Sequence, residues 1–223
     1  MRLFVLLCLL ANLAAAAVPP ALEAALKTFR TDGPRGWSFT QTSTSAGKTR
    51  VERYDAAQPE FSRWTLISDD GKIPTDDDQR DYREKLSRRS SGGTAPRITD
   101  QLDLATLELL PAAAGRLACR CRLKPGEPGD TSARFLVATL VLHEATQTIE
   151  SLELGSTGEF SPALPVKIAA MKTIMTYSLP EGGRPSLLQK VTTHLRGRAF
   201  YFKSLDADMV VTFTDYEHAK PHN

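Results

Sequence analysis

The sequence predicts an α+β, mainly β fold built on a large antiparallel sheet. Three observations carry that reading. Short runs alternate apolar and polar residues. Clusters of Gly, Pro, Asp and Ser separate the runs. A helical period appears in only two places. Composition agrees with an ordered domain. The chain is 223 residues long, with 41% hydrophobic and 24% charged residues and a net charge of +2. These values exclude a disordered or collagen-like chain and give no basic face for nucleic acid.

The first segment, MRLFVLLCLLANLAAAAVPP, has a tripartite pattern. Arg2 is a short positive region, residues 3–10 are an unbroken apolar run, and Ala15 and Ala17 supply small residues for a peptidase. This predicts a signal peptide over residues 1–17, cleavage after Ala17, and a single domain over 18–223. A spanning helix needs about 20 apolar residues, and Pro19-Pro20 ends the run sooner. Cys8 lies inside the apolar run, after the bulky Leu7, so no lipid-attachment site is expected. The expected product is exported and soluble after cleavage.

Residues 20–29 predict a helix. Pro20 suits a first turn, and Leu22, Ala25, Leu26 and Phe29 form one stripe. Strands are expected at 37–42, 49–54, 61–68, 105–110, 115–123, 135–143, 148–154, 167–177, 187–196, 199–203 and 209–214. For 105–110 and 167–175 helix is the competing reading, because Leu, Ala and Met have no β preference.

The stretch from about 70 to 97 is a polar helical insertion. Thr75 and Asp78 form a capping box, with Asp76, Asp77 and Asp78 at the positive end of the helix dipole. Arg83, Lys85, Arg88 and Arg89 lie toward the other end. Tyr82 and Leu86 are its two apolar contacts. It reads as a solvated surface helix or, alternatively, as a flap with a flexible Ser90-Ser91-Gly92-Gly93 end.

Catalytic and metal motifs fall short. His143-Glu144 opens an H-E-x-x pattern, but Gln147 stands where a zinc-protease helix needs histidine. His194, His218 and His222 have no ligand spacing. Gly155-Ser156-Thr157-Gly158 is not a nucleophile elbow. Asp76 to Asp78 are contiguous and fan around a helix instead of converging on calcium. Neither enzymatic activity nor a cofactor is expected. Cys119 and Cys121, at i and i+2, share one strand face. Three readings stand: buried small residues, a local disulfide across about 6.5 Å, or a soft-metal pair.

Apolar residues concentrate twice, at Trp37, Phe39, Phe61, Trp64, Leu66 and Ile67, and at Phe200, Phe202, Met209, Val211 and Phe213. Such faces are either core or the wall of a pocket for an apolar ligand.

Phe39-Thr40-Gln41, then Pro59-Glu60-Phe61-Ser62-Arg63-Trp64, then Ser68-Asp69-Asp70-Gly71 give an order that resembles the periplasmic outer-membrane lipoprotein carriers and their receptors, the LolA/LolB-like superfamily. The run from Leu142 to Leu154 resembles that family's hairpin. Gly197-Arg198-Ala199-Phe200-Tyr201-Phe202-Lys203 and Phe213-Thr214-Asp215-Tyr216 resemble the closing strands of an uncharacterised bacterial subgroup. The resemblance implies an incomplete antiparallel β-barrel, a strongly curved sheet covered by a few helices. It also implies an apolar cavity for acyl chains, a role in lipid or lipoprotein trafficking in the bacterial envelope, and no enzymatic activity. Strand periodicity puts Trp37 with Phe39, and Trp64 with Leu66, on single faces. The resemblance turns those faces inward, so the expected ligand contacts are Trp37, Phe39, Trp64, Leu66, Phe200 and Phe202. The expected partners are an apolar ligand or lipoprotein acyl chains, and an envelope protein. The competing reading is a non-enzymatic envelope interaction or structural module with a self-filled core.

Overall fold

The structure, a computed structural model, describes residues 18–31, 36–89, 97–126, 131–200 and 202–219. The expected signal peptide, Ser90-Ser91-Gly92-Gly93 and His222 lie outside them. Helix α1 spans Pro20–Thr28, α2 Asp76–Arg89 and α3 Ile98–Gln101. The strands are β1 (Trp37–Ser45), β2 (Lys48–Tyr54), β3 (Trp64–Asp69), β4 (Leu102–Leu110), β5 (Arg116–Leu123) and β6 (Leu136–His143). They continue with β7 (Thr148–Ser156), β8 (Phe160–Ala163), β9 (Val166–Tyr177), β10 (Leu188–Ala199), β11 (Lys203–Ser204) and β12 (Ala207–His218). No described helix is long and apolar enough to cross a membrane.

All the strands join one antiparallel sheet in the order β3-β2-β1-β12-β10-β9-β7-β6-β5-β4, with β8 and β11 as short additions on β9 and β10. The sheet is not closed. Its two edges, β3 and β4, are consecutive in the chain, so the polar insertion is the crossover from one edge to the other. That explains the polar composition of α2, which packs on the sheet instead of joining it. The β4 edge is blunted by an irregularity between Asp103 and Glu108, where Thr106 Oγ1 accepts from Arg122 N at 2.9 Å. Such breaks discourage further strand pairing.

Register defines one face. Asp69, Arg50, Ser43, Val211, Val191, Met175, Leu152, Leu140, Cys119 and Leu109 stand side by side across ten strands. This row passes from charged through polar to apolar, so the same face has two chemistries. Its apolar end is the core. Leu22 and Ala25 of α1 pack on Cys119, Cys121, Ala138, Leu140, Leu142, Ile149 and Leu152. Full burial of a leucine such as Leu22 stabilises by about 1.5–3 kcal/mol. The stripe read from the sequence is therefore the buried side of α1, with Leu26 and Phe29 partly buried beside it.

Helix α2 covers the other end of the same face. Its capping box forms as expected: Asp78 N donates to Thr75 Oγ1 at 3.2 Å, and Thr75 N donates to Asp78 Oδ2 at 2.9 Å. Tyr82 is the anchor, at 6% exposed. Its hydroxyl donates to Glu52 Oε1 on the row beside Arg50. Gln79 Nε2 donates to the Leu66 carbonyl. Gln79 and Tyr82 thus pin a polar helix to the sheet.

Both segments with a competing helix reading are strands, β4 and β9. Segment 199–203 is not the strand expected. The chain turns at Phe200, whose backbone is left-handed (φ 51°), and only Lys203–Ser204 returns to pair with β10. At the start of segment 61–68, Glu60–Ser62 is a helical turn and the strand begins at Trp64.

Candidate functional site

Between the two helices the face is uncovered. A hollow of about 480 Å³ opens there, lined by Gln41, Ser43, Ser45, Lys48, Thr49, Arg50, Glu52, Asp69, Val191, Met209, Val211 and Phe213. That volume falls in the range of roughly 300–1,000 Å³ typical of small-molecule sites. One wall, from β12 and β10, is apolar. The other, from β1 and β2, is polar and charged. A second hollow of about 390 Å³ continues beneath α2 and shares Lys48, Arg50 and Asp69 with the first. The two together form a groove with an apolar half and a charged half.

The charged half is braced. The Arg50 guanidinium donates to Asp69 Oδ2 at 2.6 Å, and this bond holds the arginine more firmly protonated than usual against the opposing effect of burial. Both partners are about half exposed, so the pair adds at most about 1 kcal/mol to stability. Gln41 Nε2 donates to Glu52 Oε2 at 2.9 Å. Glu52 therefore accepts from Gln41 in the hollow and from Tyr82 of the covering helix.

One end of the hollow is an aromatic cluster. Phe39 stacks on Tyr54 at 5.0 Å between ring centres and meets Trp64 at 5.7 Å and Phe213 at 5.6 Å, both edge-on. Tyr216 lies 5.6 Å from Phe39, and its hydroxyl donates to the Leu188 carbonyl at 2.6 Å. Burial pushes the Tyr216 hydroxyl up to about 12, so it stays a donor at neutral pH. Phe213 belongs both to this cluster and to the hollow.

The six expected ligand contacts are therefore divided. Phe39 and Trp64 stand together at the end of the groove. Leu66 is buried on the same face, in the wall beneath α2. Trp37 packs edge-on against His218 at 5.2 Å. Phe200 and Phe202 do not join them. They sit in the turn after β10, 58% and 87% exposed. The reason is the register: β10 pairs with β12 only as far as Leu195, and the chain turns at Phe200, just past the end of β10.

Val191, Arg50, Glu52 and Gln41 line the hollow but were not among the expected contacts. Met209 and Val211 carried a signal in their alternation with Val210. Arg50 and Glu52 carried none, because a polar strand residue looks the same on an open face as on a ligand-facing one.

Cys119 and Cys121 are buried on the core face, with free thiols in this structure. Burial pushes both up to about 11, so they are protonated and unreactive at neutral pH. His143 Nδ1 lies 2.9 Å from Thr146 Oγ1 in the β6–β7 turn, and His194 Nδ1 lies 2.8 Å from Asp208 Oδ1. Among the described residues no three His, Cys, Asp or Glu side chains converge as metal ligands.

Compared with protein-family models, with curated proteins and with solved structures, the chain matches none.

Proposed function

We propose that this protein is an exported, non-enzymatic carrier that holds an acyl chain or similar apolar ligand in the groove between α1 and α2. The observation that carries the reading is the uncovered middle of the face. Val191, Met209 and Phe213, each partly exposed, and the buried Val211 form an apolar wall, and none of the four belongs to the core beneath α1. Water against such a wall is displaced favourably by a hydrocarbon chain, at about 25 cal/mol per Å² buried. Lys48, Arg50, Glu52 and Asp69 on the facing wall suit a polar end, so an amphiphile fits better than a pure hydrocarbon.

The N-terminal tripartite pattern supports export to the periplasm. The resemblance to lipoprotein carriers supports an incomplete barrel, in which the sheet curves round the groove, and a place in lipid or lipoprotein trafficking. The competing module reading draws on the other half of the molecule, where α1 already fills the face over β5 to β7. Mass spectrometry of lipids co-purifying with the native protein separates the two readings. A defined, stoichiometric acyl-chain lipid is expected. Protein that leaves the envelope without lipid, and takes up none when offered it, is the self-filled module.

A further inference from the structure

The ladder of β9 with β7 ends at Lys172, and that of β10 with β12 ends at Leu195. Beyond these points β9 and β10 continue as a pair, flanked by β8 and β11. At about 3.3 Å per residue, β9 runs roughly 20 Å past its ladder with β7. Two turns meet at the end of this extension, because Phe200 N donates to the Pro165 carbonyl at 3.1 Å.

The turns carry large apolar side chains in water. Leu164 is 96% exposed, with Phe200 and Phe202 as given above. Packing within the chain does not account for them. Phe200 even holds a left-handed backbone, which is costly for a bulky residue and which glycine would adopt freely. Arg198 and Lys203 flank the turns and are exposed, and neither has a carboxylate within ion-pair distance among the described residues. Nearby cations that do have partners, Lys167 with Glu159 and Arg196 with Asp208, show that the tip can pair charges where the fold uses them.

We propose that this tip docks on an anionic lipid surface, with Leu164, Phe200 and Phe202 entering the bilayer interface and Arg198 and Lys203 meeting the headgroups. The chemistry favours lipid over protein. Single apolar side chains on two narrow turns offer far less than the ~800 Å² per partner of an ordinary protein interface. They do match interfacial insertion, in which apolar side chains enter the headgroup boundary and long cationic ones reach phosphates. The inference stands apart from the groove: the tip lies at the far end of β9 and β10, past the β10–β12 ladder that carries Val191 of the groove.

The test is flotation of the protein, as the cell processes it, with vesicles of equal parts phosphatidylethanolamine and phosphatidylglycerol. Wild type is expected to float at low salt, less at high salt, and less with phosphatidylcholine vesicles. Leu164→Ser with Phe202→Ser should lower the bound fraction about tenfold. Thermal melting should not change, because both sites are exposed. Arg198→Gln with Lys203→Gln should weaken binding several-fold and remove most of the salt dependence. Three results would overturn the proposal. These are wild type left unbound, an apolar double variant that floats as well as wild type, and binding that ignores headgroup charge. Sedimentation velocity covers the other occupant: self-association that the apolar variant abolishes, without flotation of wild type, makes the tip a contact between copies.

Discussion

The Tyr82 hydroxyl donates to Glu52 Oε1 at 2.8 Å, joining the edge-to-edge crossover to the face of the sheet that carries the groove. This bond closes one side of the groove. Tyr82→Phe keeps the ring and removes the bond, and should cost about 1 kcal/mol of stability. Hydrogen exchange should quicken over α2 more than over β6 or β7. Uniform quickening across the chain would mean that α2 is not separately held.

At the filled end, Leu140 sits at the centre of the core beneath α1. Leu140→Ala removes a fully buried side chain and should cost about 2–5 kcal/mol by denaturant unfolding. The cost should lie at the upper end, because neighbouring strands hold the cavity open. A loss below 1 kcal/mol would contradict the packing described here.

Thiol chemistry gives a pH-dependent check. Burial raises both Cys119 and Cys121 to about 11, above the ordinary thiol value of about 8.5. The folded state thus keeps protons that the unfolded state releases. The stabilisation is complete below about pH 8.5 and is lost as pH rises through 11. Native protein at pH 8 should resist a thiol reagent and react fully once unfolded. Rapid labelling of the native state would place a thiol at the surface.

Much of the fold was legible because local chemistry and global position agree. The apolar stripe of α1 and the Thr75–Asp78 cap are both found where the sequence puts them. Position across the sheet was not legible. Nothing in the alternation of 209–214 says that β12 inserts between β1 and β10 and so joins the two ends of the chain. The apolar alternation at Phe200 and Phe202 was misleading for a related reason: a turn that exposes two phenylalanines has the same local pattern as a strand that buries them. Residues 105–110 show the converse. Their leucines favour no strand, yet pairing of Glu108 with Arg120 on β5 decides for one. In the groove, Phe39 and Trp64 were readable as large aromatics, whereas Arg50 and Glu52 required the register.

Gly197 marks the base of the tip. A side-chain carbon there would lie 2.7 Å from the Lys167 carbonyl oxygen, at the point where the register of β9 and β10 shifts. Backbone must move to admit it. Gly197→Ala should therefore cost about 1–3 kcal/mol, with faster exchange confined to the extension of β9 and β10. An unchanged melting temperature would show that the strands are farther apart.

The most direct test of the carrier reading is titration with a fluorescent fatty acid, comparing wild type with Ser43→Trp. Ser43 stands in the cross-sheet row between Arg50 and Val211, in the floor of the hollow. An indole there fills the space without adding charge to the apolar wall. Wild type should bind one probe saturably, and Ser43→Trp should weaken binding at least about tenfold while the protein remains folded. Wild type that binds no probe, or a variant that binds as well as wild type, would contradict the account.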